Sequence, residues 1–132
     1  MIRYSTGISI SNCNSAYLYD NYFNNVLTPI NYSNVSLMYA IRNIGWTPSI
    51  TTPSLPGSGT PITNTYPVPV TVCVYGGSVS KVVIAKGGQL ITAFQSSTPQ
   101  SINGECFMLN PGGDSILITY TQPPSWAWIP AT

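Results

Sequence analysis

The second half of the chain shows the strictest alternation of hydrophobic and polar residues. In residues 68–75 every second position is a valine, which places four side chains on one face of an extended strand: Val68, Val70, Val72 and Val74. Further apolar runs follow at 79–86, 89–94, 105–109 and 115–121. Glycine, proline or asparagine separates these runs, so the pattern predicts short antiparallel strands joined by turns.

Glycine-rich segments mark the predicted turns. Residues 76–78, Gly-Gly-Ser, are short enough to join the first two runs as a hairpin, because glycine adopts positive φ at no steric cost. Residues 87–88 and 110–113 predict two further turns. Residues 95–104, which are rich in Ser, Thr, Pro and Gln, are predicted to form a loop.

The first half of the chain is more polar and more aromatic. Residues 34–43 give its best strand signal, and a helix is the alternative there because Leu, Met and Ala are good helix formers. Residues 8–11 predict a shorter strand. Five asparagines are expected to break the rest of residues 1–33 into loops or turns: Asn12, Asn14, Asn21, Asn24 and Asn25. We therefore expect an extended N-terminal arm that packs either on its own core or on a neighbouring subunit.

A proline-rich segment separates the two halves. Residues 47–65 contain four prolines, which disfavour a helix or a central strand, so the segment is predicted to be an extended connector. The predicted organisation is an arm over residues 1–46, a connector over 47–65 and a β-module over 66–132. The predicted fold class is all-β: a small antiparallel β-sandwich or jelly roll with an extended N-terminal arm.

Charged residues make up only 5% of the chain, and the net charge is +1. Ordinary globular proteins contain about 25% charged residues. Neutral Tyr, Asn and Ser surfaces cost less to desolvate than Lys or Glu, so the composition favours part of an assembly; a soluble β-domain with neutral loops is the alternative. No cluster of Lys or Arg favours nucleic-acid binding, and no apolar run reaches the roughly 20 residues of a membrane-spanning helix.

The sequence offers few groups for catalysis. It contains no histidine, and its three carboxylates lie far apart along the chain: Asp20, Glu105 and Asp114. We therefore predict that the protein is not an enzyme, with no catalytic residues, no metal and no cofactor.

The three cysteines are Cys13, Cys73 and Cys106. They are widely spaced and form no Cys-x-x-Cys pair, which argues against a zinc site. Buried free thiols are the prediction, and a disulfide between Cys73 and Cys106 is the alternative.

Aromatic residues are the candidate contact groups, because Tyr and Trp are enriched at protein interfaces. The predicted interface residues are Tyr17, Tyr19, Tyr22, Phe23, Trp126 and Trp128. Trp126 and Trp128 are expected to anchor the C-terminus, one on the core and one on a partner. Trp46 and Trp126 are instead candidates for stacking on sugar rings, which makes carbohydrate a possible ligand.

Three motifs in the second half occur in an order that resembles a known class of modules. They are a valine-rich segment with a Gly-Gly pair (residues 67–84), a Pro-Gly-Gly segment that leads into a strand (109–120) and a closing pair of tryptophans (124–128). This half of the chain resembles the small β-sandwich modules of tailed-bacteriophage virion proteins. The resemblance implies a structural role as a capsid decoration, head-fibre or minor capsid protein.

Together with the composition, this resemblance leads us to expect a homo-oligomer, in the first place a trimer, that binds the major capsid protein. The expected location is the capsid surface of a virion assembled in the host cytoplasm, with no nucleic-acid or membrane partner. Two alternatives stay open: a module that recognises a host-surface carbohydrate, and a penton or other shell-forming jelly-roll protein.

Overall fold

The computed structural model describes residues 4–131. This part of the chain contains seven strands and no helix: β1 (Tyr4–Tyr19), β2 (Val26–Ile41), β3 (Ile62–Thr63), β4 (Val70–Lys86), β5 (Gln89–Leu109), β6 (Ser115–Gln122) and β7 (Ser125–Pro130). β1 and β2 form a two-stranded sheet, and the other five strands form a second, antiparallel sheet. The all-β prediction is confirmed, and no barrel closes within residues 4–131.

β1 and β2 run in the same direction and pair at a constant offset. Tyr4 pairs with Val26 and Tyr19 with Ile41, so that each residue lies opposite the one 22 positions further along the chain. A bridge between Tyr22 and Ile44 keeps this offset. The two segments therefore stack as successive rungs of a parallel β-solenoid. Residues 4–22 are called rung one below, and residues 26–44 rung two.

The sequence repeats at the same offset. Identical residues occupy equivalent positions in six pairs: Thr6/Thr28, Ile8/Ile30, Ser11/Ser33, Asn12/Asn34, Tyr17/Tyr39 and Asn21/Asn43. Asn12 and Asn34 both have left-handed φ angles, 54° and 52°, and so do Asp20 and Arg42, at 56° and 54°. Asparagine tolerates this region better than most residues and turns the chain sharply. The sequence predicts loops or turns at Asn12 and Asn14. This prediction is wrong, because both residues lie inside β1.

The strand predicted over residues 34–43 is confirmed against the helical alternative, because residues 34–41 belong to β2. The strand predicted over residues 8–11 lies within β1. Residues 4–44 do not form an extended arm. They pair with each other, and this pairing satisfies backbone groups that an arm would leave for a neighbour.

β4 is the central strand of the antiparallel sheet. It pairs with β5 along one side, and on the other side with β6 over residues 78–85 and with β7 over residues 70–75. β3 adds to the far side of β6. The alternating valines of β4 are buried, and they form the main core with apolar residues of the other strands: Ile102, Leu109, Ile116, Ile118 and Trp128.

Two predicted breaks lie inside strands. Residues 76–78 do not form a hairpin turn, because β4 continues through them with shifts of register. Gly77 has φ 67°, and a Cβ there would lie 2.6 Å from the backbone nitrogen of Pro124, so glycine permits a bulge and a close backbone approach. Residues 95–104 belong to β5, so the loop prediction is wrong. The predicted turns at 87–88 and 110–113 are confirmed.

Cys73 and Cys106 lie opposite each other on β4 and β5 and form a disulfide, with their Cα atoms 4.0 Å apart. The prediction of free thiols is therefore wrong for this pair. Long-range register brings the two residues together across 33 positions of sequence, and spacing alone does not reveal that register. Cys13 is a free, half-buried thiol.

The segment predicted as a connector, residues 47–65, packs on the antiparallel sheet. The Trp126 indole N–H donates to the carbonyl oxygen of Pro53 at 2.8 Å, and the Tyr120 hydroxyl donates to that of Pro56 at 2.8 Å. Apolar side chains of the segment pack against the main core: Ile50, Leu55 and Ile62. The segment thus has an extended backbone, and it also helps to cover the sheet.

A buried asparagine lies where the rungs meet the antiparallel sheet. The Asn64 side-chain amide donates to the carbonyl oxygens of Val68 and Leu109, at 3.1 and 2.9 Å. Val68 packs in a second core cluster with rung two, and the Ala40 N–H donates to the carbonyl oxygen of Pro67 at 3.3 Å. The second rung is therefore covered by the segment that leads into β4.

Candidate functional site

Exposed aromatic residues lie on the outer surface of the rungs, on both sides of the corner at Asp20. Tyr17 is 57% exposed, Tyr22 is 70% exposed and Ile44 is 63% exposed, and the rings of Tyr17 and Tyr19 lie with their centroids 6.3 Å apart. The solenoid offset places Tyr22 beside Ile44. These four residues, Tyr17 and Tyr19 before the corner and Tyr22 and Ile44 beyond it, are together called the tyrosine face. Tyr17, Tyr19 and Tyr22 were predicted interface residues, and all three are free to contact a partner.

A single ion pair lies at the corner between Tyr19 and Tyr22. The Arg42 guanidinium donates to both carboxylate oxygens of Asp20, at 2.7 and 3.2 Å. The hydrogen bond from Arg42 holds the pKa of Asp20 below its ordinary value, and desolvation opposes this only in part. Because the pair neutralises itself, it leaves the tyrosine face without net charge.

The remaining predicted interface residues are less accessible. Phe23 is half-buried and packs against the second core cluster, which contains Val68 and buried residues of rung two. Trp128 is only 5% exposed and belongs to the core of the antiparallel sheet, and Trp126 is half-buried beside it, with the ring centroids 5.5 Å apart. Trp128 therefore anchors the C-terminal strand to the core, as was predicted for one of the two tryptophans.

The two candidates for stacking on sugars do not form a common site. Trp46 packs against the second core cluster, which includes buried residues of rung two. Trp126 packs against the core of the antiparallel sheet and donates its indole N–H to the carbonyl oxygen of Pro53. Both rings are half-buried.

A cleft beside Trp128 has aromatic side chains in its lining. It has a volume of about 330 Å³ and is lined by Pro53, Pro61, Ile62, Thr63, Thr65, Tyr66 and Trp128. The indole N–H of Trp128 is buried and has no hydrogen-bond partner among the described residues. The ring of Tyr66 meets that of Trp128 edge to face, at 6.3 Å between centroids.

Asp114 is the one buried carboxylate of the described chain. It accepts hydrogen bonds from the Lys86 ammonium at 3.0 Å and from the backbone N–H groups of Asn110 and Gly87, at 2.9 and 3.2 Å. Burial alone would raise the pKa of Asp114, but the hydrogen bonds from Asn110, Lys86 and Gly87 outweigh it, and the pKa lies below its ordinary value. The carboxylate thus joins the turn after β4 to the turn before β6. The turn predicted at residues 110–113 precedes Asp114 directly, but no local pattern in the sequence indicates that Lys86 reaches this carboxylate.

Sequence reasoning also missed the alignment of equivalent asparagines. The side-chain amide of Asn34 donates to that of Asn12 at 2.9 Å, and the side-chain amide of Asn21 donates to that of Asn43 at 3.0 Å. A search for self-similarity at a fixed offset would have found these pairs.

Within residues 4–131, no three His, Cys, Asp or Glu side chains lie close enough together to hold a metal ion. That part of the chain also has no helix long and apolar enough to cross a membrane. No protein-family model, curated protein or solved structure matches this sequence.

Proposed function

We propose that this chain is a non-enzymatic structural protein of a virus particle. It acts as a homo-oligomer, in the first place a trimer, and binds the major capsid protein as a decoration or minor capsid component. Protein–protein contacts between neutral surfaces supply the stabilisation.

The tyrosine face carries this proposal. Tyr17, Tyr19 and Tyr22 present large rings with few rotatable bonds, and they lose little conformational entropy when they are buried in a contact. The Asp20–Arg42 pair is already neutralised, so the surface needs no external counter-charge. With 5% charged residues in the whole chain, few ions would have to be desolvated on association.

The β-sandwich or jelly roll is likewise a proposal, and it concerns the assembled form. The outer face of the antiparallel sheet leaves apolar side chains exposed: Leu90, Met108 and Ile129. A second layer supplied by a neighbouring subunit would cover them and complete a two-layer structure.

The disulfide bears on where the mature protein acts. Cytosolic thiols are kept reduced, so a Cys73–Cys106 bond fits a particle that has left the cell better than one still inside it. We propose assembly in the host cytoplasm and oxidation of the two thiols after release, with dissolved oxygen accepting the two electrons and two protons that they lose.

Sedimentation of the purified chain tests the oligomer. We expect trimers at micromolar concentration, and monomers after Tyr17→Ser, Tyr19→Ser and Tyr22→Ser are combined. Tyr75→Ser is the matched control, because Tyr75 is also about half exposed but lies on the antiparallel sheet. A wild-type chain that sediments as a monomer would contradict the proposal, and a pentamer would favour the penton or shell-forming alternative.

Recognition of a host-surface carbohydrate is the second candidate, favoured by the cleft beside Tyr66 and Trp128. A sugar ring would stack on the half-buried ring of Tyr66, which lines this cleft. Binding to a glycan array that is lost in Tyr66→Ala, at unchanged thermal midpoint, would support this function. The thermal midpoint separates lost binding from lost folding, because the Tyr66 hydroxyl also bonds to the backbone of Thr51.

A further inference from the structure

Rung one has a long backbone edge without a partner in residues 4–131. β1 pairs with β2 along one side, and these two strands make up the whole of their sheet. The other edge of β1 therefore presents N–H and C=O groups along a strand of 16 residues. Unpaired edges of this length are templates for the addition of another strand.

The two rungs differ in burial although their residues hold equivalent positions. Three side chains of rung two are buried: Ile30, Met38 and Ala40. Their counterparts in rung one are only half-buried: Ile8, Ala16 and Leu18. Rung two lies between rung one and Val68, whereas rung one is covered on one side only. The apolar interior of the solenoid thus continues up to the open edge of β1.

The asparagine pair shows how a further rung would be held in register. Asn34 donates to Asn12, and both residues have the same left-handed backbone. An asparagine side chain carries both a donor and an acceptor, so Asn12 can donate in the same way to an asparagine one rung further on.

A second copy of this chain does not supply that rung. Rung two of a copy is covered by its own Val68, and its Ala40 N–H already donates to Pro67, so it cannot stack head to tail on β1. Two β1 edges related by a two-fold axis would run antiparallel, and this would not reproduce the parallel offset of 22 residues.

We propose that the open edge of β1 is a docking site for one further parallel rung with the same 22-residue pattern. The occupant is a polypeptide with asparagine at the position of Asn12 and aliphatic residues at the positions of Ile8 and Leu18. It adds backbone hydrogen bonds to β1 and closes the apolar interior, as rung one does for rung two. This docking does not depend on the viral role proposed above.

The test adds such a rung to the intact chain. A copy of residues 1–22 is placed directly before Met1, so that each added residue precedes its equivalent by 22 positions. We expect the amides of β1 to exchange with deuterium at least about tenfold more slowly than in the wild type. The matched control is the same extension with Ile8→Asp and Leu18→Asp in the added copy only, which gives no protection.

Equal exchange of the β1 amides with the two extensions would overturn the proposal. So would protection of β1 that rises with the concentration of the unextended chain carrying Tyr17→Ser, Tyr19→Ser and Tyr22→Ser, because the tyrosine contact is then absent and the occupant would be a second copy. If the extended chain loses its near-ultraviolet tryptophan signal and has not folded, the added rung is supplied as a free peptide to the wild type. Unchanged exchange of β1 at saturating peptide would overturn the proposal equally.

Discussion

The rungs and the antiparallel sheet each contain one acid–base pair, and the two pairs differ in everything but charge. Asp20 and Arg42 approach to 2.7 Å, but their side chains are 63% and 66% exposed. Asp114 and Lys86 are 3.0 Å apart, and the Asp114 side chain is only 9% exposed. Solvent screens the closer pair, whereas the buried carboxylate also holds two backbone N–H groups. The pair with the shorter distance, Asp20 and Arg42, therefore contributes less to stability.

The antiparallel sheet and the rungs also differ in how firmly each is stabilised. The antiparallel sheet is cross-linked by a disulfide and has a core of fully buried valines. The rungs depend on parallel pairing and on a cluster that only rung two fully buries. We therefore expect local unfolding to begin at rung one and to reach β4 last.

The largest expected effect tests the cross-link. Replacing both cysteines by Cys73→Ser and Cys106→Ser should lower the free energy of unfolding by about 3–4 kcal/mol, because the bond closes a long loop of the unfolded chain. Urea titration followed by tryptophan fluorescence measures this. Cys13→Ser is the control and should leave the midpoint nearly unchanged. If Cys13→Ser lowers the free energy of unfolding by the same amount, the disulfide does not distinguish the antiparallel sheet from the rungs.

A smaller effect compares equivalent positions in the two rungs. Ile30→Ala should cost about 2–4 kcal/mol, because Ile30 is buried and its removal leaves a cavity. Ile8→Ala should cost less than half as much, since Ile8 is half-exposed in rung one. Thermal and urea unfolding of both variants would decide this. Equal losses of stability in the two variants would show that Ile8 of rung one is covered in solution.

The next effect is the pH dependence that Asp114 contributes. Its pKa is lowered on folding, so its stabilisation is complete above about pH 4 and is lost as pH falls through the pKa of the folded state. Asp114→Asn should remove this component and cost about 2 kcal/mol at neutral pH, because it weakens charge-assisted hydrogen bonds. Urea midpoints measured from pH 7 to pH 2.5 provide the test. If Asp114→Asn keeps the full acid sensitivity of the wild type, titratable groups other than Asp114 cause that sensitivity.

The smallest effect concerns the exposed pair. In the monomeric variant that combines Tyr17→Ser, Tyr19→Ser and Tyr22→Ser, Asp20→Asn should leave the thermal midpoint almost unchanged at physiological salt, since solvent and ions screen the interaction. Low salt should enlarge the difference slightly. A loss comparable with that of Asp114→Asn in this monomeric variant would show that exposure does not weaken the pair.

Strands and two turns could be predicted from the sequence because their causes are local. Alternating valines and the glycines at 87–88 act over a few residues. The hairpin prediction for residues 76–78 is wrong because positive φ occurs in a bulge as well as in a turn. The disulfide, the Lys86–Asp114 pair and the burial of Trp128 in the main core depend on long-range register, which no local pattern specifies. The rungs were missed because their signal is a fixed offset of 22 residues, and neither rung looks regular alone.

Among the described strands β7 pairs with β4 alone, and its last pair joins Pro130 to Val70. Tension applied to β7 from its C-terminal side would first break the bond from the Ala131 N–H to Pro69. Peeling would then stop at Trp128, because its buried ring would have to leave the main core and its backbone N–H also donates to the Thr52 hydroxyl at 3.0 Å. The mechanical resistance of this end of the sheet therefore depends on one ring more than on the backbone pairing of a six-residue strand.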